Sequence, residues 1–315
     1  MAKESTSYKP SPNSRSLEYV FVVSRHGQRT PASRCTRLPD TTDLGQLTPA
    51  GREQTAALGR FLKARYGSLL SGQPGEVLAT HNKYQRTRDS VVSTLEALGT
   101  APTTPVPDNT RYDLVVDKSI ADNYEKIMNT PSTGHFKNLR EVVDFVATES
   151  GSPVEPKKVK LLCLDSLMTC VANGNPIPDW AKPYWDELLS ASHVVFTMSL
   201  IGAERRMATC IIKVMLETLS DKYDKGLAKK DKMHLFSMSD LNLYSIVKLL
   251  NPQYDRKPDF CFSLMVEIFT EGGYPMAEVF FVENLDPKPL RLEKLRNPCV
   301  LADFVTELRR LQRID

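Results

Sequence analysis

Two arginines flank a histidine in Ser24-Arg25-His26-Gly27-Gln28-Arg29-Thr30-Pro31. Planar guanidinium forks neutralise the oxygens of a phosphoryl group through paired hydrogen bonds, where a lysine offers a point charge. Gly27 permits a sharp turn and a close approach of backbone to ligand, and Pro31 stiffens the exit. An imidazole beside fixed cations has its pKa depressed and stays neutral, the form that can attack phosphorus. The segment thus reads as a phosphate-binding loop with its own nucleophile, His26, and with Arg25 and Arg29 as anion ligands. A basic surface loop around a structural histidine would use similar residues, but would not need strand, glycine and paired arginines together.

Such a loop has to be held in place. The preceding Leu17-Glu18-Tyr19-Val20-Phe21-Val22-Val23 is too short and too β-branched for a helix and predicts a buried strand. Its carboxyl end presents the loop, and that is the end at which open α/β sheets bind ligands. Downstream, Thr48 caps a predicted helix that starts at Pro49, and Leu58, Phe61 and Leu62 continue one apolar face. Gly51 is an unusual residue for a first helical turn. Glu76-Val77-Leu78-Ala79-Thr80 reads as a second strand, and Arg86 opens a helix through Val91, Val92, Leu95 and Leu98. Alone, Arg86 is a solvated surface charge, yet an arginine beside exposed helical amides is also placed to hold an anion.

Arg25-His26-Gly27-Gln28-Arg29-Thr30-Pro31 resembles the signature of the histidine acid phosphatases, within the phosphoglycerate-mutase-like superfamily. Three further blocks are similar in order and spacing: Gly45-Gln46-Leu47-Thr48-Pro49-Ala50-Gly51-Arg52-Glu53-Gln54, Leu78-Ala79-Thr80-His81-Asn82-Lys83-Tyr84-Gln85-Arg86-Thr87 and Phe236-Ser237-Met238-Ser239-Asp240. The resemblance runs from about Leu17 to near the C-terminus. It implies an α/β fold with a central, mostly parallel sheet flanked by helices and a smaller α-helical cap insert. It also implies in-line attack by His26 on a phosphomonoester and hydrolysis of a phosphohistidine. Arg25, Arg29 and Arg86 then bind the phosphoryl oxygens and Asp240 protonates the leaving oxygen. No metal or other cofactor is expected, since the arginines supply the charge.

Two positions depart from the pattern. The family's His-Asp pair reads Ser239-Asp240, and Thr80 stands where many members carry an additional arginine. The Ser239 hydroxyl can still donate one hydrogen bond to a phosphate, but it carries no positive charge toward the developing phosphorane. Losing one preorganised donor costs about 3 kcal/mol of transition-state binding. The expectation is therefore a phosphomonoester hydrolase of weakened activity, or alternatively an impaired pseudo-phosphatase that binds a phosphorylated or lipid anion. A mutase that retains its phosphohistidine is the nearest enzymatic rival. Of the five histidines, His81, just past the second strand, is the candidate for an accessory role, whereas His234 faces away from Ser239 and is structural.

With 315 residues, 41% of them hydrophobic, the chain can bury a sizeable core. The net charge of +3 is slight, and no basic run or aromatic-basic interleaving suggests a nucleic-acid surface. No segment approaches the length of a membrane span. The expected partner is a phosphomonoester or another phosphorylated substrate, and a homodimer is compatible with the chain. Residues 1–16 read as a polar, serine-rich flexible tail, residues 17–99 and 201–315 as the core, and residues 100–200 as the mainly helical cap, with a boundary in the Pro- and Thr-rich stretch Thr100–Asp108. Phe262–Phe269 and Ala277–Val282 predict a late antiparallel hairpin around Gly272-Gly273. The resemblance implies a Cys170–Cys261 disulfide and leaves Cys35, Cys163, Cys210 and Cys299 without assigned partners. No CxxC or Cys/His spacing suggests zinc. The family is commonly secreted or lysosomal, but neither an apolar signal segment nor an Asn-x-Ser/Thr sequon is present, so localisation stays open.

Overall fold

The β-branched run after Glu18 forms β1 (Ser16–Arg25), in which Tyr19 to Val23 are all buried. Two-sided burial of this kind requires helices on both faces, as around the parallel strands of α/β folds. The computed structural model describes residues 15–39, 43–100, 103–107, 118–152, 157–226 and 230–313. After β1 come α1 (Pro49–Tyr66), β2 (Val77–His81), α2 (Gln85–Leu98) and β3 (Val106–Pro107). Four helices follow, α3 (Lys118–Met128), α4 (Leu139–Glu149), α5 (Lys157–Ala172) and α6 (Trp185–Ser199), and then α7 (Glu204–Leu219). The chain closes with β4 (Met233–Met238), α8 (Asp240–Leu250), β5 (Ser263–Glu271), β6 (Tyr274–Glu283), β7 (Asp286–Pro289), β8 (Cys299–Val300) and α9 (Leu301–Gln312).

The strands form one sheet in the order β3-β2-β4-β1-β5-β6-β7, with β8 paired to β6. The core strands β3, β2, β4 and β1 are parallel, and β5 to β8 add an antiparallel extension. The mixed α/β architecture is the expected one, including the β5–β6 hairpin. Its turn is Gly272-Gly273, with φ of 59° and 83°, the left-handed region that glycine enters without strain. On one face α1 and α2 pack Leu58, Leu62, Val91 and Leu95 against Val20, Val22 and Leu235. On the other, Phe21, Val23 and Phe236 meet α7, α8 and α9. A third cluster gathers Val142, Val146, Leu164, Leu167 and Leu188 from α4, α5 and α6.

Thr48 caps α1 as expected, its Oγ1 accepting from the Gly51 amide at 3.0 Å. The glycine at position 51 has a tertiary cause. A Cβ there would overlap the Gln28 carbonyl oxygen, and a Cβ on Gly27 would overlap the Gly51 carbonyl. The His26 loop and α1 touch backbone to backbone, so both residues must be glycine.

Some expectations fall outside or against the structure. Residues 1–14 of the expected tail, and 101, 102 and 108 of the expected boundary, lie outside the described residues. Arg15 pairs with Glu267 and Glu278, both at 2.7 Å, and Ser16 begins β1. The Cys170–Cys261 bridge is not formed, and all six cysteines are thiols. Cys170 belongs to the α4–α6 cluster with Cys35 and Cys163, and its Sγ donates to the Pro39 carbonyl, whereas Cys261 lies at the sheet beside His26.

Candidate active site

Three adjacent strands deliver the predicted residues to one edge of the sheet. Ser24 on β1, Ser237 on β4 and His81 on β2 stand in register. The chain therefore leaves β1 at Arg25-His26, β4 at Ser239-Asp240 and β2 toward Arg86 at the same carboxyl-terminal edge. The His26 amide donates to the Met238 carbonyl at 3.1 Å and the Arg25 amide to the Phe262 carbonyl at 2.9 Å, which fixes the loop between β4 and β5. Gly27 N donates to Ser90 Oγ at 3.1 Å, tying the same loop to α2, and Gln28 Nε2 donates to the Ala172 carbonyl at the end of α5.

His26 is buried and its tautomer follows from its neighbours. Nδ1 lies 2.7 Å from the Gly27 carbonyl, which can only accept, so Nδ1 carries the proton. Nε2 then holds the lone pair and accepts from Arg86 Nε at 3.1 Å. Burial first, and then the charges of Arg86, Arg25 and Arg29, hold the imidazole well below its ordinary pKa. Arg86 is itself pushed down to about 10, by burial and then by Arg29, while its guanidinium stacks over the Tyr84 ring at 4.1 Å.

Arg25 is buried, donates from Nη1 to the Pro258 carbonyl at 2.6 Å, and stacks over the Phe260 ring at 4.1 Å. Its Nη2 pairs with Asp240 Oδ2 at 3.1 Å, while its buried Nε–H has no partner among the described residues. Arg29 pairs through Nη2 with Asp165 Oδ2 at 2.7 Å. Lys257 Nζ sits between the two carboxylates, 2.9 Å from Asp165 Oδ1 and 3.3 Å from Asp240 Oδ2. Burial opposes ionisation of Asp240, but Arg25 and Lys257 outweigh it and hold this carboxyl below the usual range. Asp165 is likewise held well below that range, against burial, by Lys257 and Arg29.

The structure brings together His26, Arg25, Arg29, Arg86 and Asp240, which the sequence singled out, and adds Asp165 and Lys257, which it did not. Asp165 was detectable as the lone charge in the apolar run Leu161–Met168 of α5. Lys257 lies in the α8–β5 loop with no local signal beyond its place before Pro258. Ser239 is buried, but its hydroxyl donates to Asn242 Oδ1 at 2.7 Å. His81 reaches the same sheet edge, where its Nδ1 donates to the Asn82 carbonyl at 2.6 Å. His234 stacks on Phe236 at 4.1 Å and bonds Thr80 Oγ1 at 2.8 Å, the structural place expected of it. Among the described residues no cluster of three or more His, Cys, Asp or Glu side chains is arranged for a metal, and no helix is long and apolar enough to cross a membrane.

The depressed His26 pKa has a consequence for stability. An unfolded histidine binds a proton below about pH 6.5 and the buried one does not, so stability is lost as pH falls below that value. His234, pushed down to about 4 by burial, contributes in the same window, whereas Asp165 and Asp240 act only below about pH 4. Denaturant unfolding of His26→Ala is expected to fall less steeply than wild type between about pH 6.5 and 4, by about 1.4 kcal/mol per pH unit. Parallel curves would mean that His26 is protonated in the folded protein.

No family model matches the chain. The chain is 26% identical to putative acid phosphatase 5 of Caenorhabditis elegans, over 95% of this chain and 78% of that protein. It is 24% identical to lysosomal acid phosphatase of Rattus norvegicus, over 94% and 78% respectively. The fold is similar to that of the phytase from Citrobacter braakii, with a TM-score of 0.67 and 18% identity over 94% of this chain and 98% of that one. The Hafnia alvei phytase in its apo form gives a TM-score of 0.68 at 16% identity, over 96% and 98%.

Proposed function

Because the chain is a relative of the histidine acid phosphatases, we propose that it hydrolyses phosphomonoesters through a phosphohistidine formed at His26. One observation carries the reading: a neutral, buried imidazole, its lone pair turned to Arg86, lies among the guanidinium groups of Arg25, Arg29 and Arg86. Burying cations around an uncharged base is costly unless an anion completes the group. A phosphoryl group does so, accepting from Arg25, Arg29 and Arg86 while Nε2 attacks phosphorus in line. The His26 proton stays on Nδ1, held by the Gly27 carbonyl.

Asp240 supplies the proton for the leaving oxygen and later takes one from the attacking water. In the free protein it is ionised, because Arg25 and Lys257 face it. A bound phosphate draws on Arg25 and adds negative charge, and both effects raise the proton affinity of Asp240. Turnover is therefore expected to favour acid pH.

The second reading, a binder with little turnover, is favoured by Ser239, whose hydroxyl is committed to Asn242. Hydrolysis of an aryl phosphate by wild type and Ser239→His separates the two. Turnover in wild type, raised by up to about 10²-fold in Ser239→His by the added donor, supports a working phosphatase. No turnover in wild type with turnover gained in Ser239→His means that this position has disarmed the site. Phosphate binding without turnover in either protein favours the binder of phosphorylated or lipid anions.

A further inference from the structure

Residue 239 brings no charge to the pocket, and its hydroxyl is turned to Asn242. Yet the pocket is not short of cations. Arg25, Arg29, Arg86 and Lys257 stand against two carboxylates, Asp165 and Asp240. Counting the ion-paired carboxylates and these four cations, four positive charges less two negative ones leave two, the charge of a phosphomonoester dianion, and without Lys257 only one would remain; Asp259 acts on Arg25 without an ion pair to it.

The placement of Lys257 is specific. Its Nζ and the Arg25 Nη2 converge on the same oxygen, Asp240 Oδ2, at 3.3 and 3.1 Å. Its Nζ and the Arg29 Nη2 share the Asp165 carboxylate, at 2.9 and 2.7 Å. The ammonium thus sits between the two signature arginines and against the carboxyl that faces the leaving group. Its loop is anchored at the next residue, where the Pro258 carbonyl accepts from Arg25 at 2.6 Å, and the ammonium lies 5.2 Å from the Phe196 ring of α6. An exposed lysine serving only solubility would be held at none of these points.

We propose that Lys257 is a fourth phosphoryl-binding cation, contacting the bound phosphoryl group beside Asp240 and supplying the charge that a serine at position 239 does not. When phosphate arrives, Arg25 and Arg29 exchange carboxylate for phosphoryl oxygens, and Lys257, already between Asp240 and Asp165, reaches the same group from the leaving-group side. The inference rests on the phosphate-pocket reading above, but it does not require turnover.

The test measures binding of inorganic phosphate and of vanadate by calorimetry, alongside aryl phosphate turnover, for wild type, Lys257→Met, Lys257→Arg and His26→Ala. Expected in Lys257→Met are a loss of about tenfold or more in phosphate affinity and a loss of about 10²-fold in kcat/KM, with most of both retained in Lys257→Arg. Adding Ser239→His should raise turnover more in the Lys257→Met background than in wild type. Phosphate affinity and turnover unchanged in Lys257→Met would overturn the proposal, and so would a Lys257→Arg protein as impaired as Lys257→Met although both unfold as wild type does. If wild type binds phosphate in a Lys257-dependent way but turns nothing over, the proposal stands and the phosphatase reading falls. Turnover lost in His26→Ala but untouched in Lys257→Met leaves the phosphatase reading and removes this one.

Discussion

His26→Ala lowers kcat for an aryl phosphate by about 10⁴-fold or more, the scale on which removing a covalent nucleophile acts. The substitution takes away the imidazole nitrogen whose lone pair lies among the arginines, Nε2, which accepts from Arg86 Nε at 3.1 Å. Phosphate affinity changes far less. Arg25 and Arg29 keep their own anchors at the Pro258 carbonyl and Asp165, and Arg86 remains stacked on Tyr84. This split distinguishes a nucleophile from a binding residue, whose loss would raise KM with little change in kcat. Acid-labile, alkali-stable phosphate labelling of wild type during turnover, absent from the variant, is the companion measurement. A variant that keeps more than about a hundredth of wild-type kcat would show that water, not His26, attacks phosphorus.

What the sequence showed of this site follows the range of the interactions involved. The strand, the turn and both arginines of the signature are consecutive, so their chemistry is written in one segment. Arg86, a solvated charge when read alone, was singled out by the resemblance of its block, and it lies in the first turn of α2, just beyond β2. The Gly272-Gly273 turn was equally local. Asp165 and Lys257 became site residues only through packing, because α5 and the α8–β5 loop arrive from remote parts of the chain. The apolar run around Asp165 marks it as a charge on a buried face, but nothing local says that the partners there are Arg29 and Lys257. The Cys170–Cys261 expectation failed for the same reason, since it depended on where two distant segments meet. Gly51, puzzling as a residue of a first helical turn, is explained once the Gln28 carbonyl is seen against it.

Asp240→Asn has the second largest effect, and that effect depends on the leaving group. Asparagine keeps the shape of the side chain but has no proton to transfer, so kcat for an alkyl phosphate falls about 10³-fold, within the range of general acid catalysis. An aryl oxide leaves without a proton, and its expulsion should slow less than about tenfold. For the aryl substrate the slow step then becomes hydrolysis of the phosphohistidine, which has lost its base, so a burst of phenol and an accumulated phosphoenzyme are expected. Removing the carboxylate also frees Arg25 and Lys257 from their shared counter-charge. KM therefore falls together with kcat, the opposite of what a damaged phosphate pocket would give. The pH dependence is diagnostic as well: if protonated Asp240 sets the alkaline limit of kcat in wild type, that limb flattens in Asp240→Asn. Equal losses for alkyl and aryl substrates, with no burst, would assign Asp240 to holding Arg25 in place and leave the proton donor to another group.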